Sequence, residues 1–254
     1  MPVAILSKRD FKPLPSEGVA ALMQRKLPMG SDAFDTLVAE QRAQAFRIAG
    51  INKASLIRRA QAELAKGLRD GASLQDIRLR LLNIFEDEGV QAPGLNHLRT
   101  IMRQNMLGVS SIARTRTLRH PAVVQAFPWW EYVTVQDSGV RPTHAALHGR
   151  IFRADDPFWD SYDPPWEWGC RCSKIPVSRR RLKQMGIEPD EVATLADVTA
   201  EGIAPNPEFD FPRDQLGAIN RVVLASFTGE LRKWLDERLS EADKIERDLI
   251  RRRS

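Results

Sequence analysis

Apolar positions recur at three- and four-residue spacing through the first half of the chain, which predicts a series of amphipathic helices. Residues 1–15 hold Pro2, Pro13 and Pro15 with little periodicity and read as an extended arm, followed by a short helix over 17–27. Ser31-Asp32 offers an N-cap to a helix striped by Phe34, Leu37, Val38, Ala45 and Ile48 and ended by Gly50. The next helix, Lys53 to Arg69, puts Ile57, Ala60, Leu64 and Leu68 on one face and breaks at Asp70-Gly71. Ser73 then caps a helix carrying Leu74, Ile77, Leu81 and Phe85, and Asp76 makes the start a variant of the capping box. A longer helix over 95–119 steps through Leu98, Met102, Met106, Val109 and Ala113.

At Pro128 the pattern changes. Glu131-Tyr132-Val133-Thr134-Val135 is β-branched and aromatic and predicts a strand. Asp137-Ser138-Gly139 is a turn, and Arg141-Pro142-Thr143-His144 opens a short helix that Gly149 ends. Ile151-Phe152 and the segment Cys170–Val177 read as two further extended pieces, and Ser178 caps a basic helix. Residues 201–213, with Gly202, Pro205, Pro207 and Pro212, read as a linker into a long helix from Asp214 to Arg253, striped by Leu231, Leu235 and Leu239. The fold class expected is therefore α+β, mainly α. A helical scaffold occupies 1–127, a small tryptophan-rich subdomain with short strands occupies 128–200, and linker plus C-terminal helix occupy 201–254.

Composition narrows the function classes. Hydrophobic residues make up 43% of 254, enough for a real core. No apolar run reaches the length of a membrane span, and the N-terminus lacks the order of charge and apolar core of a secretory signal. Two cysteines in a chain this long favour a reducing compartment. The net charge of +5 permits contact with nucleic acid or an acidic protein surface. It is unevenly spread: no Asp or Glu lies between Glu88 and Glu131, where Arg99, Arg103, Arg114, Arg116 and Arg119 sit. With Arg179, Arg180 and Arg181 these are candidate phosphate or partner contacts, against the plainer reading of arginines paired to neighbouring acids or to water.

The chemistry concentrates between His144 and Cys172. His144 and His148 are four apart, a spacing that puts both imidazoles on one helical face. Cys170 and Cys172 are the only cysteines. Two imidazoles and two thiolates make the donor set of a closed tetrahedral zinc site, and four protein ligands leave no open coordination position. The plainer alternative is two unremarkable histidines and two buried, inert thiols. Residues 129–177 are few and loop-rich, and a piece that small usually needs a staple, which favours a structural metal. Asp137 is a candidate acceptor of a ring N–H from a ligand histidine and Arg141 a candidate partner of Asp137 or Asp156, with an ordinary loop salt bridge as the equal alternative.

The combination Tyr132-Val-Thr-Val-Gln-Asp137, Arg141-Pro-Thr-His144-Ala-Ala-Leu-His148-Gly149, Asp156-Pro157-Phe158-Trp159, Pro164-Pro165 and Cys170-Arg171-Cys172 resembles the head morphogenesis domain of tailed phages, the phage Mu F-like minor head proteins. The likeness is close over about 95–177 and looser upstream. It implies a minor capsid component acting in head assembly near the portal, in the host cytoplasm and then in the virion, with the portal or major capsid protein as partner. It also implies importance for Asp137, Arg141, His144, Gly149, Cys170 and Cys172, and leaves His148 exchangeable for Asp155 or Asp156 as the fourth ligand. The C-terminal toxin domain of some relatives is not expected after a single helix.

Three functions follow for comparison. The leading one is a non-enzymatic assembly protein with a structural zinc. A sequence-independent DNA-binding protein packaged in the head is the second. A metal-dependent hydrolase or nuclease, with Asp137 or Glu167 as base, is the third and needs an open coordination position.

Overall fold

A computed structural model describes residues 16–35 and 45–210. The extended arm expected at 1–15 and the long C-terminal helix lie outside the described residues. The described part is mainly helical, with one two-stranded and one three-stranded sheet, an α+β fold dominated by helix. It divides into two units, with the boundary between Ala113 and Arg114.

The first unit contains α1 (Ser16–Gln24), β1 (Leu27–Pro28), α2 (Ser31–Asp35), β2 (Ala45–Phe46), α3 (Ala54–Asp70), α4 (Leu74–Asp87) and most of α5 (Leu95–Leu118). The expected stripe of α3 is buried at Ile57, Ala60 and Leu64, and its hydrogen-bonded end is Gly71 in the left-handed region at φ 65°. Gly67 lets α4 approach closely, since a Cβ there would fall 2.4 Å from Ile77 Cδ1. Ser73 caps α4 by accepting from the Asp76 amide. Gln61 on α3 donates to the carbonyls of Met23 and Lys26 at 2.7 Å each, satisfying the open end of α1 from the side. Glu88 accepts from Ser55, Lys53 and Arg59, which hold its carboxyl down at about 2.

One expected helix is corrected. The stripe from Phe34 to Ile48 does not continue as helix to Gly50, because Ala45–Phe46 is a strand paired in parallel with Leu27–Pro28. Both Ala45 and Phe46 are buried, and Met29 donates to the Phe46 carbonyl. Pairing with a distant segment satisfies these backbone groups and overrides the local helical spacing.

The second unit begins with the last turn of α5. It continues through α6 (Pro121–Ala126), β3 (Trp129–Val133), α7 (Pro142–Leu147), β4 (Ile151–Arg153), α8 (Phe158–Ser161), β5 (Ser173–Val177), α9 (Arg179–Gln184) and α10 (Leu195–Ala200). Helices α6, α8 and α10 were not expected from the sequence. The strands form an antiparallel sheet in the order β4-β3-β5. Alternation along β3 sends Trp130 and Tyr132 to one face, where Phe152, Phe158, Trp159, Tyr162 and Trp166 complete an aromatic core. Phe158 lies flat between Phe152 and Tyr162, with ring centroids 3.7 and 4.8 Å away. Trp129 points the other way, onto Ile151, Val177 and Leu182 of α9.

Lys174 enters the aromatic face from β5, opposite Tyr132 in the register. It is 1% exposed, and its Nζ donates to Asp163 Oδ2 at 2.5 Å and to Thr115 Oγ1 at 2.6 Å. Trp130 and Trp159 flank the ammonium at 5.0 and 5.5 Å. Burial pushes the Lys174 ammonium down to about 8, against the pull of the Asp163 charge. Thr115 stands on α5, so this buried network joins helix, loop and sheet.

Two predictions follow. Lys174→Met strands the Asp163 charge in an apolar core and should cost about 3–5 kcal/mol in urea unfolding followed by tryptophan fluorescence, with Lys174→Met/Asp163→Asn recovering a large part. Equal losses for the single and double variants would show that the pair is not coupled. Gly149, at φ 78°, donates to the Tyr132 carbonyl where α7 turns into β4. Gly149→Ala should cost about 1–2 kcal/mol in the same assay, because an L side chain is strained there.

Candidate metal centre

Three elements bring the site together. Helix α7, with Pro142 in its first turn, presents His144 inward. Strand β3 presents Tyr132. The segment Trp166–Cys172, which leads into β5, brings Trp166, Cys170 and Cys172. In an extended chain, alternate side chains share a side. Cys-Arg-Cys therefore sends both sulfurs toward the core and Arg171 away from it.

His144, Cys170 and Cys172 form a group whose ligand atoms all lie within 4.8 Å of one another. His144 Nδ1 is 3.4 Å from Cys172 Sγ and 3.7 Å from Cys170 Sγ. A tetrahedral zinc, with its usual bond lengths to nitrogen and sulfur, spaces those atoms about 3.6 Å apart, so the N···S edges fit the ion. His144 and Cys170 are buried and Cys172 is half-buried. The indole of Trp166 stacks flat on the imidazole, 3.7 Å between centroids and 6° between planes. The thiols are driven apart as acids: hydrogen bonding to Cys172, then burial, pushes Cys170 up, while bonds from Cys170, His144 and Tyr132 hold Cys172 down at about 5. His144 Nε2 is buried and has no hydrogen-bond partner, so the ring is held by its Nδ1 edge and by the stack.

The surrounding residues fix the cysteine segment rather than the ion. Asp137 accepts a two-pronged pair from Arg171, with 2.5 Å contacts, and also the Gly139 amide. The guanidinium beside Asp137 holds its carboxyl below the ordinary range. Gly139 leaves space for this fork, since a Cβ there would lie 2.9 Å from Arg171 Nη2. Arg141 donates to the Trp168 carbonyl at 2.8 Å. Glu167 accepts from the Trp168 amide and from Asn206.

Several sequence expectations meet a different geometry. Helix α7 ends at Leu147, and His148 is its C-cap with extended ψ of 131°, so the two histidines do not share a helical face. His148 Nδ1 accepts from the Thr134 amide at 3.0 Å, and His148 stands outside the three-residue group. Asp156 Oδ1 accepts the amides of Phe158 and Leu195 and so caps two helix starts, and Asp155 pairs with Arg153. Neither joins the group. Asp137 pairs with Arg171, not with a ligand histidine or Arg141. Tyr132 and Trp166 were not singled out from the sequence, although strand alternation from Trp130 would have placed Tyr132 on the core face.

The arginines divide. Arg114 donates to Ser173 Oγ and the Lys174 carbonyl, and Arg119 pairs with Asp160. Arg99 is exposed and Arg103 half-buried in the first unit, while Arg179, Arg180 and Arg181 are exposed in the second, with Arg179 over the Trp129 ring.

Comparison with known proteins places this geometry. Residues 58–175 match the profile of the Phage Mu protein F like protein family. The chain is 30% identical over 158 residues to the Mu-like prophage FluMu F protein of Haemophilus influenzae, covering 58% of this chain and 38% of that protein. It is 27% identical over 190 residues to the putative capsid assembly protein F of Escherichia phage Mu, covering 68% of this chain and 43% of that protein. An uncharacterized protein of Methanocaldococcus jannaschii is 31% identical over 115 residues, 45% of this chain and 16% of its own length. The chain thus spans less than half the length of these relatives. No solved structure matches. Over residues 58–175, which hold helices α4 and α5, most of α3 and the whole of the His144–Cys172 site, the chain is similar to the Mu F-like family.

Proposed function

We propose that this chain is a non-enzymatic minor head protein of a tailed phage, acting in capsid assembly near the portal and carried in the virion, with a zinc ion that staples its tryptophan-rich unit. The observation that carries the metal reading is the convergence of His144 Nδ1 with Cys170 and Cys172 at tetrahedral spacing. The assembly reading rests on the match over 58–175 and on the likeness to the putative capsid assembly protein F of phage Mu. Zinc chosen by one imidazole and two thiolates stabilises a fold outright when bound. Here it would tie α7 to the segment entering β5. The partners on this reading are the portal or the major capsid protein. Among the described residues no helix is long and apolar enough to cross a membrane.

The geometry gives the hydrolase reading little support. The two carboxylates considered as its base are engaged, Asp137 by Arg171 and Glu167 by Trp168 and Asn206. The DNA reading rests on exposed arginines, Arg99 in one unit and Arg179, Arg180 and Arg181 in the other.

The test has two parts. The purified full chain should carry one zinc per chain by elemental analysis; His144→Ala and Cys172→Ser should lose it and melt several degrees lower, and chelation should do the same to the wild type. A metal-free wild type that melts unchanged after chelation rejects the staple. Phage lacking the gene should give defective heads, and mass spectrometry of purified particles should find the chain. Normal particles without it reject the assembly role.

A further inference from the structure

We infer that Tyr132 supplies the fourth donor of this centre, closing it as a one-nitrogen, two-sulfur, one-oxygen site. The inference rests on the reading that His144, Cys170 and Cys172 hold zinc, and it replaces the histidine expected in the fourth position. The Tyr132 hydroxyl lies 3.4 Å from His144 Nδ1. A tetrahedral zinc bound to one nitrogen and one oxygen spaces them about 3.4 Å apart, so the phenol oxygen stands at the distance of a remaining corner. His144 Nδ1 is itself 3.4 Å from Cys172 Sγ, so the phenol oxygen and the thiol converge on one nitrogen.

Three further observations fit a ligand better than a bystander. Tyr132 is 0% exposed, so its oxygen has no water to turn to. Its place is fixed from behind, since Trp166 donates its indole N–H to that oxygen at 2.7 Å while stacking on His144. One indole thus orients both the nitrogen and the oxygen donor, as supporting groups around metal sites do. The acceptor open to the phenol proton, His144 Nδ1, is also an atom that would bind the ion. With zinc in place the phenol O–H would lose that acceptor, and its oxygen would face the cation. The balance follows: each thiol or phenol that still carries its proton releases it to solvent on binding, and four protein atoms bind the ion. The indole N–H then meets an oxygen carrying negative charge, where hydrogen bonds are strongest.

His148, Asp155 and Asp156 are committed elsewhere, to the Thr134 amide, to Arg153 and to two helix starts. A closed site of this kind keeps no position for substrate or water, which agrees with a structural role.

The chain has two tyrosines, which makes the test direct. Zinc is titrated into the metal-free full chain while the ultraviolet difference spectrum of tyrosinate is followed. The signal should grow in step with binding and stop at one ion per chain. Tyr162, whose hydroxyl donates to the Ile203 carbonyl, is the internal control, so Tyr162→Phe should leave the signal intact and Tyr132→Phe should abolish it. By competition with a chromogenic chelator, Tyr132→Phe should bind zinc at least about tenfold more weakly, and His148→Ala should bind as the wild type does. A wild type that takes up one zinc with no tyrosinate signal overturns the tyrosine assignment alone and leaves the other three ligands standing; that reading does not depend on whether the Tyr132→Phe chain folds. A folded Tyr132→Phe chain that binds as tightly as wild type overturns it equally. A wild type that binds no zinc brings down the three-ligand reading and this one with it.

Discussion

The alternation of side chains along β5 and the segment before it is the constraint on which the second unit depends. The register sets Lys174 opposite Tyr132 and Pro176 opposite Trp130. Paired residues in an antiparallel sheet share a face, so Lys174 is bound to enter the aromatic core. Two residues back along the extended chain lies Cys172, and two further back Cys170. The residues between them, Arg171 and Ser173, face the other way, and Arg171 is used there to grip Asp137. A slip of one residue would reverse all of this, exposing the sulfurs and the ammonium and burying a guanidinium. The grouping of His144 with the two thiols and the buried ion pair are thus two outcomes of one register.

That register is itself defended by polar groups that water cannot reach. A lone ammonium in this core would be prohibitively costly; Lys174 is tolerated because Asp163, Thr115 and the faces of two tryptophans surround it. Such a network adds little net stability over a well-packed apolar core, but it penalises every arrangement that separates its members. Asp163 sits just before the Pro164-Pro165 pair, Thr115 on α5 and Lys174 on β5. Satisfying all three at once fixes where the helix, the loop and the sheet meet. Arg114, one residue before Thr115, adds bonds to Ser173 and to the Lys174 carbonyl, so the strand is gripped on both sides of its buried lysine.

Much of the helical part was legible from periodicity, because α3, α4 and α5 carry their stripes in uninterrupted runs and α3 and α4 end or begin on glycine and serine signals. The stretch around Ala45–Phe46 was not, since two buried residues at helical spacing look the same whether a helix or a parallel partner buries them. The compositional change at Pro128 marks where the three-stranded sheet starts, whereas the packing unit begins with the last turn of α5, which lends Thr115 and Leu118 to the second core. At the site, cysteine spacing and His144 were readable as chemistry. The role of His148 was not, because it turned on whether α7 lasts one residue longer. The helix stops at Leu147, and the His148 ring is taken by the Thr134 amide. Tyr132 and Trp166 were hidden among the other aromatics, since nothing local to a tyrosine tells whether its oxygen meets water, a carbonyl or a thiol.

The arginine-rich, acid-free stretch before the sheet shows how a charge pattern divides between structure and surface. On the sequence alone, Arg99 to Arg119 form one basic run. In the fold, Arg114 is spent on β5 and Arg119 on Asp160, both inside the second unit, while Arg99 and Arg103 belong to the first. A phosphate-binding surface needs cations that are both exposed and adjacent, because the gain comes from displacing counterions along one backbone. The run loses Arg114 and Arg119 to internal pairing, so its charge cannot be summed over all its members. Arg179, Arg180 and Arg181 stay exposed at the start of α9, where positive charge opposes the helix dipole, yet Arg179 already lies over Trp129. Among the described residues, Arg114, Arg119 and Arg171 act as anchors within the aromatic unit, while Arg99, Arg179, Arg180 and Arg181 face outward.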